Sequence, residues 1–150
     1  MLVRSLNSRR SSMAKPVSDL SELIRDLSPV HVPGEYAFVS VNSYADLRSA
    51  KAFATVWEHE GLSAVLELGE AQALGVEILF EAAWITLEVN SALDAVGLTG
   101  AFANALAEAG LSCNVVAGAM HDHLFVPLND VERALDVLRA LSSGTSAQRY

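Results

Sequence analysis

The segment His121-Asp122-His123 places three titratable side chains on consecutive residues. On an extended chain His121 and His123 project to one side, a spacing that suits a metal ion. A structural or catalytic metal needs a third ligand, and neither His31 nor His59 stands at a recognisable ligand spacing from this pair. The preferred reading is a hydrogen-bonded turn with no metal. Nucleophilic chemistry has the residue types but not the motifs. Cys113 with His121 or His123 could form a Cys–His pair, and Ser91 with a histidine and Asp122 a triad. Neither lies in a setting such as G-x-S-x-G. Cys113 opens the apolar run Cys113-Asn114-Val115-Val116-Ala117, where an inert thiol is the ordinary outcome. Gly97-Leu98-Thr99-Gly100 lacks the lysine and further glycines of a phosphate-binding loop. No catalytic residue and no cofactor are assigned, and the chain is read as a non-enzyme.

The same glycine-containing stretch offers something simpler. It stands where a strand gives way to a loop and the start of a helix, and backbone N–H groups there form a site for a small anion such as a carboxylate. Gly97 lets a ligand approach the main chain, although a glycine serving only the turn accounts for it equally well. Asp122 complements such a site: a carboxylate can hold an ammonium group while amides hold a carboxylate, together reading an α-amino acid. Asn114 adds a donor and an acceptor. Ordinary turn and strand-end hydrogen bonds remain the alternative for both side chains. Trp84 and Phe125 read as core aromatics.

Positioning these residues requires a scaffold, and the pattern of apolar residues supplies one. Ser18 can cap a short helix whose Leu20, Leu23, Ile24 and Leu27 share a face, stopped by Pro29 and Pro33-Gly34. Residues 35–41, 52–57 and 62–68 read as strands, and a short helix around 70–74 ends at Gly75. From Ala83 to Val89, Ile85, Leu87 and Val89 point one way and Trp84, Thr86 and Glu88 the other. Ser91 and Asp94 have the spacing of a capping box ahead of a helix marked by Leu98, Phe102, Leu106 and Ala109. Strands over 113–119 and 123–128 follow. A last helix, cappable by Asn129 and Glu132, buries Val131, Leu135, Leu138 and Leu141. The second half thus reads β-α-β-β-α and lacks the fourth strand of a split βαβ sandwich. That strand is expected from the first half, because an open edge is avoided.

Composition agrees with one folded body. The chain has 150 residues, 51% hydrophobic and 19% charged, enough to bury roughly 70% of its unfolded surface. A single cysteine excludes an internal disulfide and fits a reducing compartment. The uncharged stretch from Leu111 to His121 is far shorter than the ~20 residues that cross a bilayer. The net charge is −8, yet Arg4, Arg9, Arg10 and Lys15 lie in an acid-free start, leaving six basic against 18 acidic residues in the remainder. So negative a surface excludes nucleic acid as a partner. The basic, serine-rich start has no apolar core for a secretory signal. A start codon placed ahead of Met13, or a disordered tail, is preferred over a transit peptide.

Longer segments carry a family resemblance. Trp84-Ile85-Thr86-Leu87-Glu88-Val89-Asn90-Ser91, Leu93 to Thr99, Leu111 to Ala117 and His121 to Pro127 resemble the ACT-like domains of the CASTOR type in small bacterial proteins. Residues 16–81 resemble the companion half, most closely at Glu58-His59-Glu60-Gly61-Leu62-Ser63. The resemblance implies an α+β fold, two tandem ferredoxin-like (βαββαβ) ACT-like lobes. Residues 16–81 would form the N-terminal lobe and 82–142 the C-terminal one, between a disordered or extended 1–15 and a tail of 143–150. It also implies a regulatory module for an amino acid or similar zwitterion, bound against the loop after a first strand, here Asn90 to Leu98. The turn at His121-Asp122 would face that loop from the other lobe or a second copy. The expected site is therefore Asn90, Ser91, Val96, Gly97, Leu98, Asn114, His121 and Asp122, in a cytoplasmic homodimer without catalytic activity. A partner-binding module with no ligand and, behind it, a histidine-centred metalloenzyme are the alternatives.

Overall fold

The computed structural model describes residues 17–144. The readings of residues 1–15, and of the tail from residue 145 onward, lie outside the described residues. Its elements are α1 (Leu20–Arg25), β1 (Pro29–Val41), β2 (Ala54–Trp57), β3 (Leu62–Glu67), α2 (Leu68–Leu74), β4 (Ile78–Leu87), α3 (Leu98–Glu108), β5 (Asn114–Ala117), β6 (Asp122–Pro127) and α4 (Val131–Ser142). Single 3₁₀ turns occupy Tyr44–Leu47 and Leu128–Asp130.

The strands form one six-stranded antiparallel sheet in the order β2-β3-β1-β4-β6-β5. This order contains two ferredoxin-like sheets, β2-β3-β1-β4 and β1-β4-β6-β5, which share their two long strands. β1 is the first strand of one lobe and the fourth strand of the other, and β4 has the reciprocal role. The strand missing from the second half is thus lent by the first, as expected: Pro29 to Val32 pairs with Leu87 to Trp84.

Sequence reasoning places a turn at Pro33-Gly34 and starts the strand at Glu35. Instead, β1 runs unbroken from Pro29. Between the pairs Val32–Trp84 and Tyr36–Ala82, residues 33–35 bulge out opposite the single residue Ala83. Proline has no N–H to give to a ladder and is at home in a bulge. The Tyr36 hydroxyl donates to the Pro33 carbonyl at 2.9 Å and holds the bulge.

Cross-strand partners share a face of the sheet, so the side chains sort cleanly. Ala83, Ile85, Leu87, Leu124 and Val126 meet Leu23 and Leu27 from the α1 region, Leu98, Phe102 and Leu106 of α3, and Ala134, Leu135 and Leu138 of α4. On the same face, Ala37, Val39, Val41, Leu62, Ala64 and Leu66 meet Leu68 and Ala71 of α2. All four helices therefore lie on one side. The other side carries a third cluster, Tyr36, Val65, Ala82 and Phe125, ringed by half-buried Phe38, Phe53, Phe80 and Trp84.

Helix ends differ from the sequence reading in three places. Asp19, not Ser18, caps α1 by accepting the Glu22 N–H at 3.0 Å. The Ser91–Asp94 spacing starts no helix, because Val17 pairs with this segment: its N–H donates to the Asn90 carbonyl at 3.0 Å, and the Ala92 N–H donates to Val17 at 3.1 Å. That pairing holds the backbone extended, and α3 begins only at Leu98. At α4 the cap position falls on Asp130, with no side-chain bond to the helix.

Candidate functional site

At the C-terminal end of β4 lie four of the eight expected site residues, Asn90, Ser91, His121 and Asp122. Asp122, the first residue of β6, stands opposite Leu87 on one side and Ala117 on the other. It shares the helix-covered face with Leu124 and is half-buried. Desolvation holds its carboxyl above the usual range, with the neighbouring His123 and His121 pulling the other way. The His121 Nδ1 lies 3.3 Å from the Val89 carbonyl, which ties the β5–β6 turn to the start of the loop containing Asn90 and Ser91. Both of these residues are half-buried. The Ser91 N–H donates to Val89 at 2.9 Å and the Ala95 N–H to Ala92 at 2.9 Å.

Farther along the loop, Gly97 occupies the N-cap of α3 with φ +102° and no side-chain cap. The first-turn amides of a helix have no partner within it, and here no side chain of the cap residue serves them. A side chain at Gly97 is opposed twice. The backbone is left-handed, and an added Cβ would stand 2.9 Å from Leu20 Cδ2. Leu20 of α1 therefore covers the Cα of Gly97. Leu98 turns its side chain into the core, while Val96 is 83% and Leu93 75% exposed.

Asn114 is not brought to this site. It pairs with Phe125, which puts it on the aromatic face of the sheet, away from Asp122. His121 and His123 part company in the same way. His123 lies on the aromatic face, where the Trp84 indole N–H donates to its Nδ1 at 3.2 Å and the Thr86 hydroxyl stands 3.1 Å from the same atom. Indole can only donate, so His123 Nδ1 carries no proton and the ring is the neutral Nε2–H tautomer. Burial lowers its pKa, in agreement. Gly118 in the adjoining turn lies so close that a Cβ would meet His123 Nε2 at 3.0 Å.

Neither nucleophilic arrangement is supported by these contacts. Burial pushes the Cys113 thiol up to about 11, so it remains protonated near neutrality, and its sulfur lies 4.0 Å from the Asn114 carbonyl. Among the described residues no three His, Cys, Asp or Glu side chains gather as a metal would require, and no helix is long and apolar enough to cross a membrane.

Two features had no counterpart in the sequence reading. One is the Val17–Leu20 segment lying over the loop, a contact between residues more than 70 positions apart that local patterning does not signal. The other is an open depression of about 380 Å³ in the N-terminal lobe, lined by Gly34, Glu35, Glu67, Leu68, Gly69 and Gln72. Its one sequence sign is the Pro33-Gly34-Glu35 bulge.

The shared-strand fold has known relatives. An ACT-domain model matches residues 15–83 and a second ACT-domain model residues 79–140, so both matches meet within β4, the strand that serves both lobes. No curated protein matches. A Vibrio cholerae protein of unknown function, described as a possible transport protein, is 44% identical over 82% of this chain and 95% of its own, with a TM-score of 0.75. An Agrobacterium tumefaciens protein shares the fold at 20% identity over 77% of this chain and 89% of its own, with a TM-score of 0.63. So does the ligand-free regulatory subunit of aspartate kinase from Thermus thermophilus, at 10% identity over 77% of this chain and 98% of its own, TM-score 0.60. Two interleaved lobes, each matched by an ACT-domain model and together spanning residues 15–140, establish that this chain belongs to the ACT-domain family.

Proposed function

We propose that the protein is a non-catalytic regulator of the cytoplasm that binds an amino acid or similar zwitterion as a homodimer. Membership of the ACT family, whose domains are regulatory and bind small molecules, supports the general role. The observation that carries the specific reading is Asp122: a half-buried carboxylate, held above its usual pKa range by desolvation, beside the loop that leads to the uncapped start of α3. A buried carboxylate without a full counter-charge gains from an ammonium group, and helix-start amides gain from a carboxylate. In this reading the amides near Val96, Gly97 and Leu98 take the ligand's carboxylate and Asp122 its ammonium. His121, Asn90 and Ser91 form the wall between them. Asn114, on the far face of the sheet, has no part in this pocket. Binding acts by favouring one arrangement of lobes or subunits.

Thermal-shift screening of the full chain against the common amino acids tests this. A native-state binder at 100 times its dissociation constant adds about 2.7 kcal/mol, a rise of several degrees for a domain of this size. No shift with any amino acid at millimolar concentration contradicts the reading. The exposed Leu93 and Val96 favour a second one, in which this loop packs on a partner protein and holds no ligand. A Leu93→Ser/Val96→Ser chain that keeps its amino-acid shift while losing a protein partner separates the two.

A further inference from the structure

The side of the sheet without helices is built like an interior. In an antiparallel sheet with one face in water, that face reads polar. Here the uncovered side is apolar over most of its strands: Val30, Val32, Tyr36 and Phe38 of β1 and Phe80, Ala82 and Trp84 of β4 lie on it with Val65, Phe125 and Val116, and share it with Ser40, Ser63, Thr86, His123 and Asn114. The rings pack edge to face. Tyr36 stands 5.2 Å from Trp84, Phe38 5.9 Å from Phe80 and 5.3 Å from Phe125. Val30 is nevertheless 39% and Val56, on the same face of β2, 60% exposed, and Phe38, Phe80 and Trp84 are only half-buried.

Charge distinguishes this face from the rest of the molecule. The chain carries −8, yet the strand residues on this side include one carboxylate, Glu67 opposite Tyr36, with the Lys51 ammonium 5.1 Å from the Phe53 ring beside it. Glu58, held by the Ser63 hydroxyl at one end of this face, is a second acid there, so two copies approaching here bring few acids together. The size also suits a dimer. Five inter-strand spacings of about 4.8 Å make the sheet about 24 Å wide, and a strand length of about 20 Å gives on the order of 500 Å² flat. Side-chain relief raises this toward the ~800 Å² that each partner buries in a standard interface.

We propose that a second copy of this chain covers the aromatic face, sheet against sheet across a two-fold axis, with helices on both outer sides. The proposal rests on the homodimer reading and assigns that homodimer its surface. Rings of the central strands, Phe38 and Phe80 above all, are its anchors, in keeping with the aromatic centre of self-complementary interfaces.

Sedimentation of the unliganded full chain over the micromolar range tests it, alongside Phe80→Glu and Val30→Lys. Val30 is exposed enough to accept lysine without a folding cost, so it decides the matter if Phe80→Glu fails to fold. The parent chain is expected to sediment as a dimer and the folded variants as monomers with unchanged far-UV circular dichroism. The Trp84 emission is expected to move to longer wavelength on dissociation. A parent that stays monomeric overturns both the face and the homodimer. A dimer that survives Val30→Lys, and Phe80→Glu if that variant folds, overturns the face and leaves a homodimer joined elsewhere. The amino-acid reading is decided separately, by its own thermal shifts.

Discussion

Asp122 and His123 are adjacent in sequence and opposite in consequence. The Asp122 side chain lies on the helix-covered side of the sheet, where desolvation raises its pKa from 3.8. A carboxyl raised on folding binds more protons in the native state, so its contribution to stability is present at low pH and is lost as pH rises through the window above 3.8. At neutral pH Asp122→Asn is therefore expected to keep or raise the melting temperature while weakening the amino-acid complex. Loss of a charge-assisted hydrogen bond worth about 1.5–3 kcal/mol predicts a loss of affinity of roughly 10- to 150-fold. Calorimetric titration of the variant checks this, and unchanged affinity contradicts the role given to Asp122. His123 faces the other way, its Nδ1 accepting from Trp84. Its pKa is lowered from 6.5 by burial, then by His121, with Asp122 opposing. A histidine lowered on folding favours the unfolded state once protons are available, so its contribution is intact above pH 6.5 and declines as pH falls below it. Urea unfolding at pH 7.5 and 5.5, with Trp84 emission as one readout, is expected to give the lower midpoint in acid. A His123→Gln chain with the same acid loss as the parent would assign that loss elsewhere.

Among the elements, the strap formed by Val17 and α1 is what decides the shape of the candidate site. Leu20 packs on Gly97 so closely that a methyl group added there would have to displace its Cδ2. Gly97→Ala is expected to cost about 1–3 kcal/mol, from the positive φ and the clash together. Relieving the clash with Leu20→Ala should make the Gly97 substitution cheaper in the double variant, by an interaction energy that unfolding of the four chains measures. Strict additivity contradicts the contact. The strap also shows what sequence could and could not reveal. Periodicity marks α3 through Leu98, Phe102 and Leu106, and the alternation over residues 83–89 separates Ile85 and Leu87 from Trp84 and Thr86, though only the structure shows which side the helices cover. Both are local signals enforced by burial. The Ser91–Asp94 capping signal failed because a long-range pairing with Val17 overrode it. The β1 bulge reads as a turn in the sequence, because Pro33-Gly34 looks alike in both settings until the partner strand is known. Of the candidate site, the sequence carries the residue types but not their sides: His121 reaches Val89 at the start of the loop, while Asn114 falls on the far face, since register between β5 and β6 decides its side.

Across the molecule, β1 and β4 make two lobes into one folding unit. A fragment spanning residues 78–144 lacks β1 and α1, which leaves the edge of β4 open and removes Leu23 and Leu27 from the core of the C-terminal lobe. It is expected to lack the cooperative thermal transition of the full chain and to regain it on addition of a peptide spanning residues 17–41. A fragment that melts cooperatively by itself contradicts the shared-strand account. In the proposed function the same continuity would give a ligand its leverage, since β4 runs from the candidate site to the centre of the sheet without a loop. In the proposed function this end of β4 holds a zwitterion. Amide chemical-shift mapping of the ¹⁵N-labelled chain, titrated with the amino acid that gives the largest thermal shift, addresses it residue by residue. The account predicts perturbations concentrated at residues 90–99 and at His121 and Asp122. Perturbations gathered instead around Gly34, Glu35 and Gln72, or none at saturating amino acid, would contradict it.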